Sequence, residues 1–299
     1  MNSLPSLLHI GVIRGGPSSD YDISLKTGAH ILRNLSETHK PIDIFISRDG
    51  KWHLNGLERT PERIFKHVDV VFNAMHGTFG EDGKVQDILN HHGVKYVGSD
   101  KYPSAIAMNR WKAKEVLSLA GVKTPIFKIV RNTDSVFDKA KEIWNSMIHP
   151  LAVKPARGGS ALGFAVVEKF DDLAHSIEDL LKNHDVVLVE EFIPGISVSC
   201  LVTDNFRGQD VYAFPPSTQL LVEETKNVED IAKRVHSLLD LSHYSQSDLI
   251  VAPKRGVYFL EVNTHPKFTE KSLATKALEP VGVTPKDFLH HLIGLAMQS

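Results

Sequence analysis

Short apolar runs that end at glycines, set between segments of helical periodicity, constrain the first third of the chain most. Residues 7–13 form such a run, and it stops at Arg14-Gly15-Gly16-Pro17, which reads as a buried strand feeding a glycine turn. Residues 22–35 then carry Ile23, Ala29, Ile31, Leu32 and Leu35 at helical spacing. Residues 42–47 and 68–74 read as further strands, 85–92 as a helix, and 95–97 as a short strand before Gly98. This alternation predicts an α/β unit over residues 1–103, a parallel sheet with helices on both faces. In such sheets ligands collect where strands end and glycine turns begin.

The pattern then changes. Residues 104–120 read as one helix carrying Lys114, broken by Gly121–Pro125. Strands at 126–130, 151–154, 164–167 and 186–191 with helices at 135–147 and 171–182 suggest a second unit, 104–191, with two helices on an antiparallel sheet. Strands at 197–203, 211–214, 249–252 and 258–262 with helices at 228–239 and 285–297 suggest a third unit, 192–299, sharing a cleft with the second. The fold class is therefore α/β, turning to α+β in the C-terminal part.

Composition excludes several classes. The formal net charge of -2 gives no field that would draw nucleic acid or a membrane surface. No uncharged apolar stretch of about 18 residues exists, so no membrane insertion is expected. The N-terminus lacks the basic region of a signal peptide. Cys200 is the single cysteine, so no internal disulfide forms. It lies in the apolar run ISVSCLV and reads as a buried structural thiol. A cytoplasmic location is the expectation.

Several segments carry chemistry. The turn from Lys154 through Gly158, Gly159 and Ser160 to Gly163 is glycine-rich, and such a backbone can close over phosphates. It is not a Walker A loop, because no Gly-Lys-Ser/Thr follows, and a plain hairpin loop is the alternative. Lys154 ends an apolar strand and aims its charge at the turn, and Lys114 offers a second positive charge. Two lysines on a phosphate chain meet the electrostatic demand of phosphoryl transfer. Glu190 and Glu191 end another strand before Ile193. Backbone there can read adenine, with Glu190 accepting from the amino group; a charged strand end is the bland alternative.

The strongest local pattern is Phe259-Leu260-Glu261-Val262-Asn263. Strand alternation puts Glu261 and Asn263 on one face. Pairing with the strand after Asp248 would bring a third oxygen donor close, a set that suits Mg2+ held jointly with phosphates. In the N-terminal unit, the loop from His76 to Gly83 follows a buried strand and carries three glycines, which makes it ligand-facing.

In order and spacing, these segments, with Ile23–Gly28 and Lys271-Ser272-Leu273, resemble the D-alanine–D-alanine ligase family of the ATP-grasp superfamily over almost the whole chain. The resemblance implies an ATP-grasp fold behind an N-terminal parallel-sheet domain. It implies a reaction in which ATP phosphorylates one D-alanine carboxylate and the amine of a second D-alanine attacks the acyl phosphate. By that resemblance Lys114, Lys154, Gly158 and Gly159 hold phosphates, and Glu190, Glu191 and Ile193 surround adenine. Asp248, Glu261 and Asn263 bind Mg2+, or Mn2+ in its place. Ser160 belongs to a relay near the attacking amine, His76 lines the first substrate site, and Ser272 with Leu273 takes the second carboxylate. A homodimer through the N-terminal unit is also implied.

Departures from the family pattern are equally specific. Asp22 stands where the family grips the first ammonium with a glutamate, and Ser197 replaces a glutamate on the ribose. Gln246 replaces an arginine that stabilises the tetrahedral intermediate, and Lys267 replaces a glycine whose N–H serves the same oxyanion. The family's lid loop, with its lysine–tyrosine pair, is reduced to residues 215–227 without a tyrosine. These departures leave three readings: a D-alanyl-D-alanine ligase of altered geometry, an ATP-grasp ligase for another amino acid or dipeptide, and a catalytically impaired nucleotide-binding relative.

Overall fold

The computed structural model describes residues 7–35, 39–158 and 163–298. The chain builds three sheets. The first uses β1 (His9–Gly15), β2 (Lys40–Ile46), β3 (Trp52–Leu54), β4 (Leu57–Glu58), β5 (Val70–Asn73) and β6 (Tyr96–Val97) in the order β4-β3-β2-β1-β5-β6. Strands β2, β1, β5 and β6 run parallel, as their alternation with helices requires. Helices α1 (Tyr21–Leu35), α2 (Pro61–Phe65) and α3 (Lys84–His91) belong to this unit.

The sheet is not wholly parallel, because β3 and β4 add an antiparallel edge. Their turn is Asn55-Gly56, with φ of 51° and 78°. Two consecutive positive φ values make the tight hairpin turn that matches strand twist, and Asn-Gly is the pair that adopts it most readily.

The expected helix at 104–120 is two helices, α4 (Lys101–Ala107) and α5 (Arg110–Leu119). Asn109 separates them: its backbone is extended and its side chain accepts from the Lys112 N–H, which makes it the N-cap of α5. Helix α4 begins at the Asp100 cap. The boundary expected at 103/104 therefore falls inside α4.

The second sheet contains β7 (Phe127–Arg131), β8 (Leu151–Pro155), β9 (Ala165–Val167) and β10 (Val186–Glu191), all antiparallel in the order β7-β10-β8-β9. Helices α6 (Val136–Ser146) and α7 (Phe170–Leu181) cover one face, with Val153, Val187 and Val189 packed against Ile143 and Ile177. Alternation sends Lys154, Leu188 and Glu190 to the opposite face.

The third sheet contains β11 (Ile196–Phe206), β12 (Gln209–Ala213), β13 (Tyr244–Ala252) and β14 (Gly256–Asn263) in the order β12-β11-β13-β14. Helix α8 (Val222–Leu238) covers one face, where Val198, Cys200, Val202, Leu249 and Phe259 are buried with Val228 and Ala232. Cys200 is fully buried and inert: burial drives its thiol far above the ordinary range. The chain closes with α9 (Leu273–Leu278) and α10 (Pro285–Gln298).

Helix α10 packs away from the unit to which its place in the sequence would assign it. Phe288, Leu289 and Leu292 share one core with Ile10, Val12 and Phe72 of the first sheet and with Leu201, Phe214 and Tyr244 around the third. This shared core locks the first sheet to the third and so fixes the cleft between them. Phe288 is fully buried at that junction. Phe288→Ala should cost about 3–5 kcal/mol in urea unfolding, the range for removing a buried aromatic ring.

Candidate active site

The site is built where β13 and β14 pair. Their register sets Asp248 opposite Glu261 and Gln246 opposite Asn263. On the other side of β13, Ser199 of β11 faces Asp248. Directly opposed residues share a face, so Ser199, Asp248 and Glu261 form one row and Gln246 and Asn263 fall in the next. The register slips by one residue after Asp248, where Leu249 pairs with Phe259. Such a bulge re-aims neighbouring side chains and is frequent beside active sites.

Asp248 accepts from the Ser199 hydroxyl at 2.5 Å and from the Gln246 amide at 3.5 Å. Burial, with Glu261 adding its charge, pushes the Asp248 carboxyl up to about 6. Two carboxylates and the Asn263 amide oxygen on one face form a donor set for a hard cation. Arg110 pairs with one of the two carboxylates and leaves the row one negative charge, so the residues fit such an ion. Asn263 Oδ1 also accepts from the His265 N–H at 2.8 Å, which fixes the side chain.

Helix α5 supplies cations to this acidic row and to the second sheet. Arg110 pairs through Nε with the Glu261 carboxylate and donates to the Pro155 carbonyl at 3.0 Å. One turn later Lys114, fully buried, lies 3.0 Å from Glu190 and donates to the Phe259 carbonyl at 3.5 Å. Lys154 reaches the other Glu190 oxygen at 2.5 Å. Burial lowers Lys114 to about 8 despite Glu190. Burial opposes the Glu190 charge as well, but Lys114 and Lys154 hold it below the ordinary carboxylate range.

The Glu190 carboxylate therefore serves as counter-ion to two buried ammonium groups. Glu191 is engaged too, with Arg255 at 2.8 Å. Ile193 is buried beside this strand end, while Ser197 is exposed.

One cavity is lined by Glu81, Met108, Arg110, Gly158, Ser199, Gln246, Asp248, Glu261, Asn263, Lys267, Ser272 and Leu273. It joins the N-terminal loop, the glycine turn, the acidic row and the start of α9. Lys267 is exposed at this cavity. Ser272 is the N-cap of α9 and accepts from the Thr275 N–H. Gly158 has a φ of 115°, a conformation that favours glycine. Gly159 and Ser160 lie outside the described residues.

Two expected substrate residues are not among those lining the cavity. Asp22 stands on the first turn of α1 with its side chain 80% exposed, 3.5 Å from Arg48. This corrects the expectation that it grips an ammonium group in the site. His76 is buried behind the loop, with Nε2 2.9 Å from the Thr27 hydroxyl and its N–H donating to Ser24.

Arg110, Ser199 and Glu81 are functional candidates that the sequence did not single out. Arg110 is readable after the fact, because it precedes Lys114 by four residues and so shares its helix face. Glu81 lies within the glycine loop already marked as ligand-facing. Ser199 emerges only from the β11–β13 register.

The expected lid segment is shorter still. Helix α8 starts at Val222, where Glu224 accepts from the Leu221 N–H, so only residues 214–221 connect β12 to it. This connection is tied to β11: Ser217 and Ser199 exchange two bonds of 2.9 Å, and the Thr218 hydroxyl donates to the Ser197 carbonyl at 3.3 Å.

A parallel-sheet domain, two antiparallel sheets facing across a cleft, and paired lysines opposite an acidic row define the ATP-grasp class. The D-Ala-D-Ala ligase C-terminal model matches residues 116–216 and 211–294, and the N-terminal model matches 55–99. The chain belongs to the D-alanine–D-alanine ligase family. It is 32% identical over 307 residues to the D-alanine–D-alanine ligase of Syntrophotalea carbinolica, covering 95% of this chain and 94% of that one. The structure of the Coxiella burnetii D-alanine–D-alanine ligase superposes with a TM-score of 0.88 at 25% identity, covering 98% of this chain and 95% of that chain. The Bacillus anthracis ligase complexed with ATP gives 0.81 at 25% identity, covering 97% and 98%.

Removing Glu190 would leave Lys114 and Lys154 buried without a counter-ion. Glu190→Ala should lower stability by about 3–5 kcal/mol in chemical unfolding, the cost of breaking a buried ion pair.

Proposed function

We propose that the protein joins two D-alanines at the expense of ATP, as a peptidoglycan precursor ligase. The observation that carries this reading is the convergence of Lys114, Lys154 and Arg110 with Asp248, Glu261 and Asn263 around one cleft. In the first step the carboxylate of one D-alanine attacks the γ-phosphorus and ADP leaves. In the second, the amine of another D-alanine attacks the acyl carbon, phosphate leaves, and the amine gives up a proton.

Residue roles follow from charge. Lys114 and Lys154 with Glu190 sum to one net positive charge, which suits a phosphate chain. Arg110 with Asp248 and Glu261 sums to one net negative charge, which suits a cation. Asp248, Glu261 and Asn263 would hold Mg2+. When bound, the ion neutralises phosphate charge and lowers the barrier to attack. Adenine binding falls to the backbone around Ile193. Ser272 and Leu273, which both line the cavity, would receive the second carboxylate.

The missing arginine at Gln246 removes one oxyanion donor, a change worth about 10²–10³ in rate elsewhere. Lys267 is the cation available at the cavity to offset it. Ligase activity is tested with an amino-acid panel. Phosphate release from ATP should depend on D-alanine, with D-alanyl-D-alanine found by mass spectrometry. ATP binding with no turnover on any amino acid would leave the impaired-relative reading in its place.

Two further outcomes follow from the site. Glu261→Gln should abolish magnesium-dependent turnover, measured by phosphate release across a Mg2+ titration, and unchanged dependence removes Glu261 from the metal set. Lys114 holds phosphate only when charged, and its proton leaves the free protein near pH 8. ATP affinity measured by calorimetry should therefore hold below pH 8 and weaken above it, approaching tenfold per unit. Affinity independent of pH from 7 to 9.5 would exclude Lys114 from the phosphate site.

A further inference from the structure

We infer that His243 is a proton-operated latch between the first sheet and the third: taking up a proton releases the contact it makes with the end of β6. The inference does not depend on the ligase reading.

The latch lies where the chain leaving β6 meets the turn into β13. The Gly98 N–H donates to His243 Nδ1 at 2.9 Å. Beside it the Ser242 N–H donates to the Ser99 hydroxyl at 3.0 Å, and that hydroxyl donates to the Ser242 carbonyl at 3.5 Å. Of these bonds only the one to His243 involves a group that titrates. Its polarity is fixed, because a backbone N–H can only donate. Nδ1 must therefore be bare, and a proton there would set one donor against another.

The surroundings make that loss costly. Gly98 is buried with a φ of 114°, and a Cβ there would lie 2.6 Å from His265 Cε1, so its backbone is pressed against a second imidazole. A buried N–H stripped of its acceptor costs free energy. His243 is itself held in the left-handed region, at a φ of 67°. Its N–H donates to Asp204 Oδ2 at 2.5 Å, and its carbonyl accepts from the Thr203 hydroxyl at 2.7 Å.

The groups that face the ring come from several elements. Burial lowers His243 from the ordinary 6.5 to about 4; Asp204 of β11 opposes that shift, while His236 of α8 and His291 of α10 add to it. His265, following β14, also faces it. Lys95, Tyr96 and Asp100 line one cavity with His243 and Gly98, and Lys95 and Asp100 are exposed, so protons reach the junction from solvent. The closed junction holds the proton more weakly than the open one. The contribution of His243 is therefore complete above pH 6.5 and is lost as pH falls toward 4. Gly98 leads directly into α4 and then α5, so release here loosens the first sheet from the helix that carries Lys114.

Amide hydrogen exchange of residues 96–102 in the full chain reads the latch, as protection factors corrected for intrinsic exchange at each pH. Wild type should lose about 30-fold in protection between pH 7.5 and pH 5, the ratio set by a proton held at about 4 when closed and at 6.5 when open. His243→Asn keeps an acceptor for the Gly98 N–H and tolerates the left-handed backbone, but does not titrate. Its protection should change less than about threefold over the same range. Equal losses in wild type and variant overturn the latch, as does wild-type protection that holds at pH 5. If the variant does not fold, the imidazole 15N shifts of wild type decide. A His243 Nδ1 that carries a proton at pH 7.5 overturns the proposal, and a bare one that gains its proton as protection is lost supports it.

Discussion

The site depends on the burial of Lys114. Its ammonium is inaccessible to water and lies between two sheets, paired with Glu190 of the second and bonded to the Phe259 carbonyl of the third. Taking a charge out of water costs several kcal/mol per ion, so this arrangement survives only because Glu190 and the carbonyl face it. Arg110, one turn earlier, repeats the bridge through Glu261 and the Pro155 carbonyl. Helix α5 is thus the seam of the cleft, and its two cations bridge the second sheet to the third. The Asn109 cap fixes where that helix starts and therefore where both cations point.

Much of this arrangement was legible in the sequence where local periodicity and the ligand face coincide. Glu261 and Asn263 alternate with buried Val262, so their shared face needs no tertiary information. Lys154 closes an apolar strand before glycines, and its direction follows in the same way. The hidden features all depend on register or packing. Ser199 meets Asp248 because β11 pairs with β13 in one particular offset, and the bulge after Asp248 adds a residue that simple alternation does not count. The convergence of two lysines on Glu190 is hidden in the same way, because they come from different elements and nothing local brings them together. The Asn55-Gly56 hairpin, by contrast, carried a local signal. Its strands have three and two residues, too short to display an alternation.

The tied segment 214–221 changes what the site can do. Strand β12 pairs with β11 only from Val202 onward, and residues 217 and 218 take up bonding positions along the earlier part of β11. Ser199 is anchored by this strap at its backbone and by Asp248 at its hydroxyl. A segment held in this way cannot swing as a long loop does without breaking the bonds that orient a cavity residue. Exclusion of water from an acyl phosphate must then come from the walls already present and from substrate itself.

The neutral Gln246 bears on the same balance. An arginine at that position would place a permanent positive charge two residues from Asp248 on the same face. In its absence Asp248 has only the more distant Arg110, a hydroxyl and an amide to offset burial and Glu261, and its carboxyl rises to about 6. A carboxyl raised in the folded state binds protons more tightly there than in the unfolded chain. It therefore lowers stability as pH climbs from the ordinary carboxylate range toward 6. A cation shared by Asp248 and Glu261, as the proposed function requires, would offset that cost. The loss of one fixed charge thus shifts part of the site's electrostatic order from the protein to its ligands.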